Sequence, residues 1–147
     1  MRVDGIGKLT FELASTSQAR REFGPPDRVE EVNFGTGEAP RFDWLYSEQP
    51  GFRLVFDSAT DKVVGYQCIR KCDLETQLGI GVGDSMASVR QQHGRALKEY
   101  PVGVGALILP AGGDELSGGL IFTGGPKGGG DVIGISAFNT IAGPAGD

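Results

Sequence analysis

The sequence predicts an α+β fold made of two tandem helix-plus-three-strand units, residues 1–72 and 73–147. Their strands are expected to form one antiparallel sheet, with both helices on one face and the other face open. Three observations predict it. A segment near the start recurs without gaps at an offset of 70 residues. Downstream of each copy, apolar residues alternate with polar ones at the period of a strand. Glycine, 25 of 147 residues, falls largely where helices would stop and strands would turn.

The recurring segment aligns residues 10–24 on residues 80–94. Ser15 falls on Ser85, Ala19 on Val89, Arg20 on Arg90, Phe23 on His93 and Gly24 on Gly94. Each serine can accept a hydrogen bond from an orphan N–H at a helix start, and Gln18 stands at the reciprocal capping-box position. Ala19/Phe23 and Val89/His93 are i, i+4 pairs on one helix face. Gly24 and Gly94 suit the positive-φ position that ends a helix, and Pro25-Pro26 prevents continuation in the first copy. Each copy therefore predicts a helix of two to three turns.

Strands follow each helix. In the first unit Phe42, Trp44 and Tyr46 alternate with Arg41, Asp43 and Leu45. Phe52, Leu54 and Phe56 alternate with Arg53 and Val55, and a third run covers Val63 to Ile69. The breaks at residues 49–51 and 58–61 predict two hairpins. In the second unit the runs are Val104–Leu109, Leu120–Thr123 and Val132–Phe138, separated by the glycine-rich stretches 111–119 and 124–131. Short leading strands are expected at Lys8–Glu12 and Gly79–Val82.

Fourteen basic residues against 19 acidic ones give a net charge of −5. That balance argues against nucleic-acid binding, which relies on clustered cations. Arg20-Arg21 and Arg70-Lys71 read as solvated ends of elements. No apolar run approaches the ~20 residues needed to cross a bilayer, and the start Met-Arg-Val-Asp contains no leader-like apolar region. The glycine strings fail the phosphate-binding templates. Lys8 is followed by Leu9 instead of Ser or Thr, and Gly79, Gly81 and Gly83 lack the spacing of a dinucleotide fingerprint. No cofactor is expected.

Cys68 and Cys72 stand four apart, which a disulfide across a tight turn can span. Free thiols and a metal site are the alternatives, but zinc would need two further ligands and His93 is the single histidine. No metal ligand is assigned. His93 is expected partly buried on the inner helix face, where Phe23 lies in the first copy. A nucleophilic pair with Cys68 or Cys72 is the functional alternative. The acid pairs Glu30-Glu31, Asp57/Asp61 and Asp114-Glu115 stand beside turns, where carboxylates cap or are solvated. No catalytic residue is assigned, and the chain reads as a binder more than an enzyme.

The aromatic set Phe42, Trp44, Tyr46, Phe52, Phe56 and Tyr66 has two readings: core beneath the helices, or an aromatic sheet face that binds a partner. Trp44, Tyr46, Arg53 and Tyr66 are the candidate partner-binding residues.

Residues 5–27, from Gly5-Ile-Gly-Lys-Leu-Thr to Phe23-Gly-Pro-Pro-Asp27, resemble the opening repeat of beta-lactamase-inhibitor-protein-like domains. Residues 78–94, Leu78-Gly-Ile-Gly-Val-Gly-Asp-Ser through His93-Gly94, resemble the second repeat. The outer-membrane assembly lipoprotein BamE carries a single related unit. The resemblance implies tandem repeats, a secreted or envelope location in bacteria and a binding role. Glu12-Leu13 departs from the Gly-Met pattern of the family, and the cysteine pattern differs too, so no inhibitory residue carries over. The resulting expectation is a non-enzymatic extracytoplasmic domain recognising a protein partner through its open sheet face and loops. The alternative is a small-molecule or glycan binder, or a minor enzyme, using the glycine-rich loops of the second unit.

Overall fold

Two eight-residue helices, α1 (Thr16–Phe23) and α2 (Met86–His93), begin one residue after a serine whose side chain accepts a backbone N–H of the first turn. At α1 the cap is reciprocal, since Gln18 also accepts from the Ser15 backbone N–H at 2.9 Å. Both helices end at glycines with positive φ, +80° at Gly24 and +55° at Gly94, a conformation that side chains disfavour. The computed structural model describes residues 1–2, 4–32, 41–46, 51–69, 72–99, 105–110, 119–125 and 129–138. None of its helices is long and apolar enough to cross a membrane.

Among the described residues the helices are accompanied by ten strands. A hairpin of β1 (Gly5–Ile6) and β2 (Leu9–Thr10) forms a small sheet of its own. The main sheet holds β3 (Arg28–Val32), β4 (Arg41–Tyr46), β5 (Phe52–Asp57), β6 (Lys62–Ile69), β7 (Lys98–Glu99), β8 (Ala106–Pro110), β9 (Gly119–Thr123) and β10 (Gly134–Phe138). Its order is β3-β4-β5-β6-β10-β9-β8-β7, with every neighbouring pair antiparallel.

This corrects the expected fold class. The protein is mostly β, with one eight-stranded antiparallel sheet and two short helices, and is not two helix-plus-three-strand units. The strands that sequence patterning missed are the edges. β3 reads Arg-Val-Glu-Glu-Val, and β7 is an exposed Lys-Glu pair. An edge strand with little buried surface carries little apolar alternation, so periodicity does not report it. The leading strand expected at Gly79–Val82 is only a single bridge, Glu75 to Gly81.

Two cross-strand rows build the core on the helix side. One runs Trp44, Leu54, Tyr66, Ala137, Leu120 and Leu109; the other runs Tyr46, Phe52, Cys68, Ile135, Phe122 and Leu107. Ala19 of α1, Met86 and Val89 of α2, and Ile6 and Leu9 of the hairpin join the same cluster. Removing one such side chain from water contributes about 1.5–3 kcal/mol. Gly124 has a packing role here, because a Cβ at that position would lie 2.7 Å from Met86 Cγ.

The second face differs from expectation as well. Leu45, Val55, Val64, Ala106 and Ile108 lie outside the helix-side cluster, yet each is less than 10% exposed. The sheet therefore has no open apolar face along these residues. It carries instead a row that crosses all eight strands: Arg28, Leu45, Arg53, Gln67, Ser136, Ile121, Ile108 and Lys98.

Candidate binding site

Three of the four candidate partner-binding residues belong to the core. Trp44 and Tyr46 are each 6% exposed and Tyr66 is 0% exposed. They are corrected from docking residues to packing residues, because the alternation of β4 and β6 turns them toward the helices. Their polar atoms are used internally: Tyr46 Oη donates to the Gly24 carbonyl at 2.9 Å, and Tyr66 Oη to the Arg2 carbonyl at 2.7 Å. Burial pushes the Tyr46 hydroxyl up to about 12 and raises that of Tyr66 as well. Only Arg53 points to the second face.

On that face Arg53 Nη1 donates to Asp43 Oδ2 at 2.8 Å. The Asp43 side chain is 6% exposed and that of Arg53 33%. Burial raises the Asp43 carboxyl above its usual range, and the Arg53 hydrogen bond and charge oppose that shift. Asp43 Oδ1 is buried with no hydrogen-bond partner among the described residues. Arg28 and Glu30 form a more exposed ion pair at 2.7 Å on the neighbouring edge strand.

A cavity of about 540 Å³ opens on the helix side, between the C-terminal end of α2, the segment at residues 76–78 and the start of the chain. Its apolar wall comes from Met1, Leu78, Leu109 and Leu120. Its polar groups are Arg2, Asp4, Thr76, Gln77 and His93. The turn at 76–80 is held by the Thr76 N–H on the Ile80 carbonyl, 2.8 Å, and by the Ile80 N–H on Thr76 Oγ1, 3.2 Å. Arg2 Nε pairs with Asp4 Oδ1 at 3.2 Å, while its other nitrogens donate to the Gly7 and Leu9 carbonyls. The His93 ring sits 5.5 Å from that of Phe122. Its Nε2 is buried without a partner among the described residues, and burial lowers the imidazole below its usual pKa. Sequence reasoning placed His93 on the inner helix face but missed the cavity. The available signal was the alignment itself, which sets a small polar ring at 93 against phenylalanine at 23.

Cys68 and Cys72 are joined in a disulfide with Cα atoms 5.5 Å apart, and both are buried. A sulfur held in a disulfide is no thiolate, which removes the expected alternative of a Cys–His nucleophilic pair. The glycine turn at 79–83 closes on itself, with the Gly81 N–H donating to Asp84 Oδ2 at 2.8 Å. A carboxylate thus occupies the amide that an anion would need. Among the described residues, no group of three or more metal-ligating side chains is gathered. The glycine-rich loops of the alternative reading fall mainly at residues 111–118 and 126–128, outside the described residues, as do Arg70, Lys71, Asp114 and Glu115.

No protein-family model and no curated protein sequence matches the chain. A crystal structure of an extracellular protein containing a SCP domain, from Bacillus anthracis str. Ames, is similar in fold. It superimposes on 92% of this chain with a TM-score of 0.63 at 10% sequence identity. The match covers 47% of that protein, so this chain spans about half its length.

Proposed function

We propose that the chain is an extracytoplasmic, non-enzymatic binding domain that docks a protein partner across the second face of its sheet. The observation that carries this reading is the continuous row from Arg28 to Lys98, in which Arg53, Gln67, Ser136 and Ile121 are partly exposed and Leu45 and Ile108 are buried. Arg53 is the anchor. Its guanidinium is held by Asp43, so little side-chain entropy is lost when a partner accepts a hydrogen bond from it. Arginine in such a preorganised position often dominates binding energy. The location rests on the Cys68–Cys72 disulfide, a bond that persists in oxidising compartments, and on the fold shared with part of an extracellular protein.

The test immobilises the domain and passes over it the culture medium and envelope extract of the native organism. Ser136→Arg places a bulky charge mid-row without touching the core. It should abolish capture of whatever the wild type retains, and Arg53→Gln should weaken it at least tenfold. If Ser136→Arg captures the same protein as well as the wild type does, the second face is not the docking surface.

A further inference from the structure

We infer that the outer edge of β3 is a self-association site, where a second copy of this chain adds its own β3 antiparallel and the two main sheets join edge to edge. This concerns the rim of the sheet and stands without the partner-binding reading. β3 is the first strand of the sheet order, and among the described residues no strand lies on its outer side. Such an edge presents a row of backbone N–H and C=O groups ready to pair. The opposite edge is blunted, since β7 is two residues long and both are exposed. β3 runs for five residues, Arg-Val-Glu-Glu-Val, without a proline and in continuous register with β4. Val29 is 55% exposed at this rim, beside the buried Trp44 on the helix side.

Charge selects both the occupant and the register. Two copies related by a two-fold axis pair isologously, residue i on j and j on i. An axis perpendicular to the sheet passes beside one residue that faces its own copy, and it keeps the two faces of the sheet distinct. Centring on Arg28, Glu30 or Glu31 sets like charges directly opposite, which opposes pairing. Centring on Val32 pairs none of these charges. Centring on Val29 sets the exposed valine on its copy and Arg28 opposite the partner's Glu30, twice over. Arg28 and Glu30 already pair at 2.7 Å within one chain, with side chains 62% and 39% exposed. The second copy closes them into a ring of four alternating charges. On the helix side Glu31 meets the partner's Asp27, both exposed, and the Arg20 guanidinium over Trp44 supplies a cation on that side.

The experiment follows the mass of the protein by sedimentation velocity as its concentration is raised. A five-residue strand offers far less than the ~20 residues a side of a stable interface. Dimer should therefore reach half of the protein only near ~0.1 mM. Arg28→Glu and Glu30→Arg alter exposed side chains, and each leaves like charges facing across the axis. Each should weaken dimerisation at least tenfold. Mixed in equal amounts, the two variants should dimerise about as well as the wild type, because every carboxylate of the ring then faces a guanidinium. A wild-type protein that stays monomeric up to ~1 mM would overturn the proposal. So would either variant dimerising alone as tightly as the wild type, or a mixture that remains monomeric.

Discussion

Around α1 the sheet is sealed by rings. Phe23 meets Phe52 and Tyr46, Tyr46 and Phe52 stack at 4.6 Å, and the Arg20 guanidinium lies 5.4 Å over the Trp44 ring. Around α2 the same helix geometry leaves one ring pair, His93 with Phe122, beside an open cavity. Each helix has a serine N-cap and the lengths are equal, though only α1 adds the reciprocal Gln18 bond. What differs is the residue in the last turn and the rings opposite it. Helix placement is therefore set by capping and by Ala19 or Val89 beneath the helix, while the helix end decides whether the seam is filled.

The largest effect that can break this comparison lies in the sealed region. Phe56 is 0% exposed and packs 5.0 Å from Phe42 and 4.8 Å from Trp44. Phe56→Ala should cost about 3–5 kcal/mol in urea denaturation. A loss under ~1 kcal/mol would mean that the ring cluster relaxes freely and is not sealed at all. Next comes the disulfide at the end of β6, the strand that joins the two regions. Reduction, or Cys68→Ser with Cys72→Ser, should cost about 2 kcal/mol for so short a loop, measured as a shift of the unfolding midpoint.

His93→Phe sharpens the comparison by making the two helix ends alike. Replacing the imidazole, whose Nε2 is buried without a partner among the described residues, by an apolar ring should add about 1 kcal/mol at pH 7.5. A pH dependence should accompany it. Burial holds the folded imidazole below its ordinary pKa of 6.5, so the unfolded chain binds the proton more readily. The wild-type protein then loses stability as the pH falls through 6.5, and the variant lacks this loss. The gap in melting temperature between the two should widen from pH 7.5 to pH 5.5. A constant gap would show that His93 is solvated in the fold, with neither Arg2 nor Asp4 across the cavity altering its titration. The smallest effect concerns Glu12, which sits at φ +66° just before α1. Glu12→Gly should stabilise by about 0.5–1 kcal/mol, since a side chain in that conformation is strained. An unchanged midpoint would place the strain elsewhere.

The helices were legible in the sequence because caps and glycine stops are local signals. Ser15, Gln18, Gly24, Ser85 and Gly94 each act within four residues along the chain. The strands with buried rings were legible for a similar reason, since Phe42, Trp44 and Tyr46 carry the period of two directly. The edge strands were not, because Arg28–Val32 and Lys98–Glu99 face too little protein to need apolar alternation. The same alternation that identified β4 could not say which face was covered, and so Trp44, Tyr46 and Tyr66 were expected at a surface. Burial of Leu45 and Val55 on the opposite face depends on three-dimensional closure that no local pattern encodes. The cavity is legible only as a mismatch, histidine on phenylalanine, between two aligned segments.

The central position of β10 bears on how the sheet can be assembled as the chain is synthesised. Seven of the eight strands of the main sheet precede it in the chain, yet it pairs with β6 on one side and β9 on the other. The segments from β3 to β6 and from β7 to β9 can each close through neighbouring hairpins as they emerge. They remain two separate ribbons until residues 134–138 arrive to bridge them. A chain interrupted before that point would lose the middle of its sheet instead of an edge. Completion of the main sheet therefore waits for residues 134–138, in whatever order the two ribbons themselves close.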